Sequence, residues 1–151
     1  MKTPDEMDPP MNILLVEDNP GDVRLMMEYL KESKTHHPMN VVPDGLEAMA
    51  YLRREGRYAG ASRPALILLD LNLPKKNGLQ VLAEIKQDLD LKRIPVVILT
   101  TSSAETDIIE AYNLHANCYI TKPGNVVQFF QIMKAIEDFW LAIAQLPPRE
   151  G

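Results

Sequence analysis

Acidic, hydroxyl and basic side chains follow four short apolar runs of this 151-residue sequence. In chain order, these polar residues are Glu17 with Asp18, then Asp70, Thr100 and Lys122. If the runs are strands of an open parallel sheet, their carboxyl ends border the crevice in which such sheets bind ligands. We therefore predict that three carboxylates, one hydroxyl and one lysine meet at a single edge of a sheet.

This set of side chains suits phosphoryl chemistry. Clustered carboxylates repel one another, and a divalent cation relieves that repulsion. A few hard oxygen ligands favour Mg²⁺, which completes its coordination with water and phosphate oxygens. A carboxylate beside a metal and a lysine can attack phosphorus and form an aspartyl phosphate. Lys122 would offset charge on the transferred group, and the Thr100 hydroxyl could donate a hydrogen bond to it.

The apolar runs indicate which elements hold these residues. They are rich in Val, Ile and Leu and do not alternate with polar residues, which is typical of parallel strands buried on both faces. The predicted strands are Ile13–Val16, Val41–Val42, Leu66–Leu69, Val96–Leu99 and Cys118–Ile120. An ordinary structural explanation exists for each polar residue alone, such as a helix N-cap for Asp18. Because all of these polar residues lie at predicted strand ends, a shared chemical role is favoured over separate structural roles.

Helix signals lie between the predicted strands. Asn19 before Pro20 reads as an N-cap with proline in the first turn. Capping-box spacing occurs at Asp44–Glu47 and at Ser102–Glu105, and Asn77 can cap a further helix. The last helix is predicted from about residue 125 to about residue 145. Strands alternating with five helices predict a three-layer α/β domain.

Composition excludes several classes of protein. The net charge of −5 argues against nucleic acid as the main partner. No apolar run is long enough for a membrane span, and the acidic, proline-rich start is unlike a secretory signal. The single cysteine suits a reducing cytoplasm. We expect a flexible segment at 1–10, one domain at 11–146 and a tail at 147–151, with no attached output domain.

Four motifs resemble the receiver domain of two-component response regulators. They are VEDNP at 16–20, ILLDLNLPKKNG at 67–78, VVILTTSS at 96–103 and CYITKP at 118–123. The resemblance covers about residues 11–146. It implies a flavodoxin-like, doubly wound sheet of five parallel strands in the order 2-1-3-4-5, with five helices.

Matched position by position, the resemblance assigns roles. Asp70 corresponds to the phosphoacceptor, and Glu17 and Asp18 to the acidic pair around Mg²⁺. The backbone carbonyl of Asn72 corresponds to a further metal ligand. Lys122 corresponds to the invariant lysine. The switch pair is Thr100, the hydroxyl residue, and Tyr119, an aromatic that alternates between outward and inward rotamers; an ordinary strand-filling role for Tyr119 stays open.

Further features resemble the single-domain regulators that partner bacterial and cyanobacterial phytochromes. These are the long loop before the third strand and the closing EDFW…LPPR. This resemblance implies a light-sensing histidine kinase as the partner. The family pattern also implies a cis peptide bond before Pro123, which would direct Lys122 toward the site, although trans is the more common form of such bonds.

The last predicted helix carries more apolar residues than one face needs. At 100° per residue, a broad stripe that includes Phe139 and Ile143 covers the sheet, while Phe130 and Leu141 fall on its flank. Large apolar residues outside the core-facing stripe suggest that a second surface of this helix is covered by a partner. The partner would be a second copy of the chain, and the resemblance to phytochrome partners also implies such a homodimer. Packing of both side chains on a neighbouring helix is the equally weighted alternative.

The residues therefore predict a phosphorylation-dependent signalling protein. It would assist its own phosphorylation and dephosphorylation without being a true enzyme. One alternative is a metal-dependent phosphohydrolase with an aspartyl nucleophile. Such enzymes commonly need an acid two residues after the nucleophile, where this chain has Asn72. A phosphate-independent interaction scaffold is the other alternative, and the complete set of site residues argues against it.

Overall fold

The fold was analysed in a computed structural model that describes residues 11–33 and 37–148. The predicted flexible segment, residues 1–10, and the last three residues of the predicted tail lie outside this part of the chain. The strands are β1 (Ile13–Val16), β2 (Met39–Val42), β3 (Leu66–Leu69), β4 (Val96–Thr100) and β5 (Cys118–Thr121). The helices are α1 (Pro20–Glu32), α2 (Gly45–Leu52), α3 (Gly78–Gln87), α4 (Glu105–Asn113) and α5 (Val126–Asp138).

All strands pair in parallel in the order β2-β1-β3-β4-β5, which confirms the predicted fold. The crossover helices form two layers. On one face, α1 and α5 pack on the sheet around Met26 and Phe129. On the other face, α2, α3 and α4 pack around Leu82 and Ala111. The central strands β1, β3 and β4 are therefore buried on both faces, which explains their unbroken apolar sequences.

Helix starts follow the predicted caps with one exception. The side chains of Asn19, Asp44 and Asn77 each accept a hydrogen bond from a first-turn N–H, as expected. The capping box predicted at Ser102–Glu105 was wrong, because α4 begins at Glu105 after an Ala104 N-cap that offers no side-chain acceptor. The Ser102 hydroxyl instead donates to the carboxylate of Asp107 at 2.6 Å.

The chain after α5 departs from the predicted single helix. Residues Phe139–Ile143 form a π-helix, in which the Ala144 N–H donates to the Phe139 carbonyl at 2.7 Å. This wider turn shifts the angular position of every later side chain, so a constant 100° per residue no longer applies. Ile143 is consequently 71% exposed, although the predicted stripe placed it on the sheet, and Phe139, at the start of the π-helix, is 50% exposed.

The structure changes one part of the predicted dimer surface, at Leu141. Leu141 is turned inward and buried among the core residues of the α1–α5 layer. Phe130 is half-buried, and its ring lies edge-on to Tyr29 with centroids 5.7 Å apart. Leu141 therefore packs within its own chain, whereas a dimer role for the half-buried Phe130 stays a prediction. As for membranes, each helix within residues 11–33 and 37–148 is too short or too polar to cross a bilayer.

Candidate functional site

The carboxyl ends of β1, β3 and β5 bring the predicted charged residues together. Glu17 and Asp18 directly follow β1, and Asp70 directly follows β3. Each of these three residues offers a carboxylate oxygen, and the three oxygens lie within 4.8 Å of one another. Glu17 and Asp70 are buried, whereas Asp18 is exposed. The site is thus an acidic cluster that is open to solvent through Asp18.

Lys122 places its ammonium group among these carboxylates. Its Nζ lies 2.5 Å from Glu17 Oε2 and 3.0 Å from Asp70 Oδ2. The side chain is only 4% exposed. Its backbone is fixed as well, since the Lys122 N–H donates to the Thr100 carbonyl at 2.7 Å. The ammonium therefore neutralises part of a buried negative charge from a well-defined position.

The charge states follow from these contacts. Burial opposes ionisation of Asp70, but the hydrogen bond from the Asn72 N–H and the charge of Lys122 hold its pKa below the usual value. Burial raises the pKa of Glu17 to about 7, against the opposing hydrogen bond from Lys122. Burial would lower the pKa of Lys122, but its carboxylate partners raise it. At neutral pH, Asp70 is therefore an anion next to a protonated lysine.

One member of the site, Asp22, was not among the predicted residues. Its Oδ2 lies 2.7 Å from Lys122 Nζ, which makes it the third carboxylate on that ammonium group. The sequence shows Asp22 only as an acidic residue in the first turn of α1, where such residues are commonly favoured by the helix dipole. Asp22 and Lys122 are 100 residues apart in the sequence, so no local pattern indicates that they pair.

Thr100 and Tyr119 lie on neighbouring strands beside the cluster. The Thr100 side chain is fully buried, and its hydrogen bond contributes to the low pKa of Asp70. Tyr119 pairs with Ile98 in the β4–β5 register, so its side chain lies on the same face as that of Thr100. The half-buried Tyr119 donates its hydroxyl to the Ser102 carbonyl at 2.9 Å. Their role as a switch stays a prediction.

The loop after β3 shapes the other side of Asp70. The Asn72 N–H donates to Asp70 Oδ1 at 3.1 Å, which fixes the carboxylate. A metal-binding role for the Asn72 carbonyl stays a prediction. Gly78 begins α3 directly against this segment, because a Cβ there would lie 2.2 Å from the Asp70 carbonyl oxygen. Only glycine fits at this position without moving the backbone of Asp70.

The predicted cis peptide bond before Pro123 is corrected by the structure. The part of the chain described contains no cis peptide bond, and Lys122 and Pro123 both lie within it. The trans form is favoured by about 0.5–1 kcal/mol in such bonds. Lys122 reaches Glu17 and Asp70 from a trans peptide, so the cis form is not needed to direct its side chain into the site.

The donor set fits a hard divalent cation. Glu17, Asp18 and Asp70 offer only carboxylate oxygens, and the exposed Asp18 leaves room for water ligands. Among residues 11–33 and 37–148, no nitrogen or sulfur ligand belongs to the cluster, which argues against zinc or copper. Binding a cation would favour the ionised form of Glu17, because a protonated carboxyl is a poor ligand.

With this geometry established, comparison with known proteins identifies the class. The response regulator receiver domain family matches residues 13–134. The chain therefore belongs to the receiver family of response regulators. Membership agrees with the strand order, with the acidic cluster and with the lysine at the end of β5.

Particular relatives are regulators of phytochrome systems. The chain is 56% identical over 143 residues to the response regulator Rcp1 of Synechocystis sp., covering 95% of this chain and 97% of that protein. The crystal structure of the phosphorylated cyanobacterial phytochrome response regulator RcpA superposes with a TM-score of 0.90. It is 61% identical and covers 93% of this chain and all of its own. The Mn²⁺-bound form of Rcp1 gives a TM-score of 0.88 at 55% identity, covering 92% of this chain and all of its own.

Proposed function

We propose that Asp70 accepts a phosphoryl group from a histidine kinase and that the resulting aspartyl phosphate switches the protein between two signalling states. The anionic carboxylate attacks phosphorus, the N–P bond of the donor phosphohistidine breaks, and an O–P bond to Asp70 forms. The departing imidazole nitrogen keeps the electron pair of the broken bond and takes up a proton from solvent. The observation that carries this proposal is the 3.0 Å contact between Asp70 Oδ2 and Lys122 Nζ beside two further carboxylates.

Each site residue then has a part in the transfer. The Asn72 N–H orients the Asp70 carboxylate, and Lys122 offsets the negative charge of the incoming phosphoryl oxygens. Thr100 lies buried at the end of β4, where its hydroxyl can donate to one of these oxygens after transfer. The same groups would assist later hydrolysis of the aspartyl phosphate. The protein is therefore a phosphoacceptor that is consumed stoichiometrically.

We propose Mg²⁺ as the cofactor, held by Glu17, Asp18 and Asp70 with the Asn72 carbonyl. When bound, it would supply positive charge that lowers the repulsion between an anionic nucleophile and an anionic donor. The all-oxygen donor set supports this choice. The Mn²⁺-bound form of the relative Rcp1 is a second reason to expect a divalent cation at this site.

We propose a phytochrome-type histidine kinase as the upstream partner. The supporting observation is the high identity to RcpA and Rcp1 over nearly the whole length of both relatives. The lone Cys118, a free thiol, suits the reducing cytoplasm in which we expect this exchange to take place.

We propose that Thr100 and Tyr119 transmit the change to a partner surface. A homodimer through the C-terminal helix is part of the proposal, with the half-buried Phe130 on its surface but without the buried Leu141. The large apolar side chains that point outward there are Phe139 and Ile143, with Trp140 packed edge-on against Phe139 at 5.3 Å. A second copy of the chain is the partner that we expect to cover them.

Intact-mass measurement after incubation with Mg²⁺ and acetyl phosphate tests the phosphoacceptor. The wild type should gain one phosphoryl group and Asp70→Asn none. Asp138→Asn, an exposed carboxylate of α5, is the matched control and should label normally. Equal labelling of Asp70→Asn would remove Asp70 from this role. No labelling of the wild type would favour the scaffold, and release of many phosphates per protein would favour the hydrolase.

A further inference from the structure

Of the three carboxylates that hold Lys122, one stands apart from the acidic cluster. Glu17 and Asp70 belong to the group that could hold a metal ion, whereas Asp22 does not. We infer that Asp22 is a positioning residue that keeps the Lys122 ammonium over Asp70 throughout phosphoryl transfer. This inference rests on the proposed function of Asp70, and it adds a residue to that site.

The position of Asp22 is set by α1. Its N–H donates to the Asn19 side chain at 3.1 Å, and Pro20 starts the helix two residues earlier. A carboxylate in the first turn is also favoured by the helix dipole. The Asp22 side chain is 24% exposed, so it lies at the rim of the site and keeps contact with solvent. Asp22 is thus held independently of any cation in the cluster.

The three N–H donors of the Lys122 ammonium group explain why Asp22 is needed as a partner. An ammonium group has three N–H donors, and in this structure all three carboxylates lie within 3.0 Å of it. A cation would draw on Glu17 and Asp70, and phosphorylation removes the charge of the Asp70 oxygen that forms the ester. Asp22 is the one partner whose charge and contacts need not change. Without it, a flexible four-carbon chain would lose its constant anchor.

The test compares Asp22→Asn with Glu28→Gln, which removes the same charge from an exposed position on α1. We expect Asp22→Asn to lower the maximal rate of Asp70 labelling by acetyl phosphate about tenfold, the loss typical of one charge-assisted hydrogen bond. The half-saturating donor concentration should change much less. Glu28→Gln should label like the wild type. A normal maximal rate for Asp22→Asn would overturn the inference.

A double-mutant cycle separates positioning from a general charge effect. In the Lys122→Met background, which removes the ammonium group, Asp22→Asn should slow labelling by a clearly smaller factor, because both residues act through one contact. Equal factors in both backgrounds would overturn the inference. If Lys122→Met does not label, the same cycle in unfolding free energy, measured with a chelator present, decides. A coupling free energy between the two substitutions supports the Asp22–Lys122 contact. Additive effects of the two substitutions contradict it.

The two proposals fail in different ways. If the wild type does not label at all, the phosphoacceptor role of Asp70 fails, yet the unfolding cycle still reports on the Asp22–Lys122 pair. If the wild type labels and Asp70→Asn does not, a normal rate for Asp22→Asn removes only the positioning role.

Discussion

The hydroxyl of Tyr119 donates to the backbone carbonyl of Ser102 at 2.9 Å and so ties β5 to the segment between β4 and α4. Ser102 is tied in turn to the first turn of α4, since its own hydroxyl donates to Asp107. Any rotation of the Tyr119 ring must break the first of these bonds. The conformation of this segment is therefore coupled to one tyrosine rotamer next to the buried Thr100.

Replacing Tyr119 by Phe should release the segment. The lost hydrogen bond is expected to lower the free energy of unfolding by about 0.5–1.5 kcal/mol. Amide hydrogen exchange across residues 101–104 should become faster, while labelling of Asp70 persists. Tyr112→Phe, an exposed tyrosine of α4, is the control. Unchanged exchange in Tyr119→Phe would show that this bond does not restrain the segment.

Gly78→Ala should disturb the site through the backbone. The added Cβ would lie 2.2 Å from the Asp70 carbonyl oxygen and 2.6 Å from Leu71 Cα, so the chain at Asp70 has to move. We expect a loss of about 1–3 kcal/mol in urea unfolding, as for overpacked positions, together with slower labelling. Gly60→Ala meets nothing within 4 Å and serves as the control. Equal behaviour of the two variants would contradict the packing argument.

Magnesium should stabilise the folded protein through the acidic cluster. At a concentration 100 times the dissociation constant, a ligand that binds only the folded state adds about 2.7 kcal/mol. Asp18→Asn removes the exposed ligand and should lose most of this gain, with little loss of stability in a chelator. Thermal unfolding with and without MgCl2 measures both effects. A full magnesium response in Asp18→Asn would place the cation elsewhere.

Acidification should weaken the hydrogen bond by which His37 holds Met11, the first described residue. His37 Nδ1 accepts a hydrogen bond from the Met11 N–H at 3.1 Å, which requires the neutral ring. Burial lowers the pKa of His37, against the opposing charge of Glu137. The unfolded chain therefore binds this proton more readily, and stability falls as pH drops from about 6.5 toward the folded-state pKa.

The variant His37→Asn isolates that contribution, because the Asn Oδ1 is bonded to Cγ as the His Nδ1 is and accepts the same bond at every pH. Between pH 8 and pH 5, the wild type should lose more unfolding free energy than the variant does. Denaturant unfolding at several pH values measures the difference. If the unfolding free energies of the wild type and the variant change in parallel with pH, protonation of His37 is not coupled to folding.

The exposed apolar residues after α5 should define the proposed dimer. Ile143 is 71% exposed, and a charge there would oppose burial against a second copy. Light scattering should therefore give a dimer for the wild type and a monomer for Ile143→Glu. Leu89→Glu, at a position 80% exposed beyond α3, is the control and should stay dimeric. An unchanged mass for Ile143→Glu would exclude this surface.

Sequence alone was sufficient for the sheet and for most of the site. Unbroken apolar runs mark buried parallel strands, because each strand needs apolar side chains toward both helix layers. Once those strands are known, the carboxyl-end rule alone gathers Glu17, Asp18, Asp70 and Lys122 at one edge. The hydrophobic pattern is a local property of the chain, so it can be read before folding, whereas the strand order was implied by the resemblance to receiver domains.

The tertiary structure decided what depends on distant side chains and on packing. Asp22 pairs with Lys122 across 100 residues, and no local pattern distinguishes that pairing from an ordinary first-turn acid. Leu141 is buried because a π-helix widens the turn after α5, and the width of that turn is not encoded in apolar periodicity. The peptide bond before Pro123 is trans, and Lys122 reaches its carboxylates from that form. These features arise where several elements meet, and their geometry is fixed only when all of them are in place.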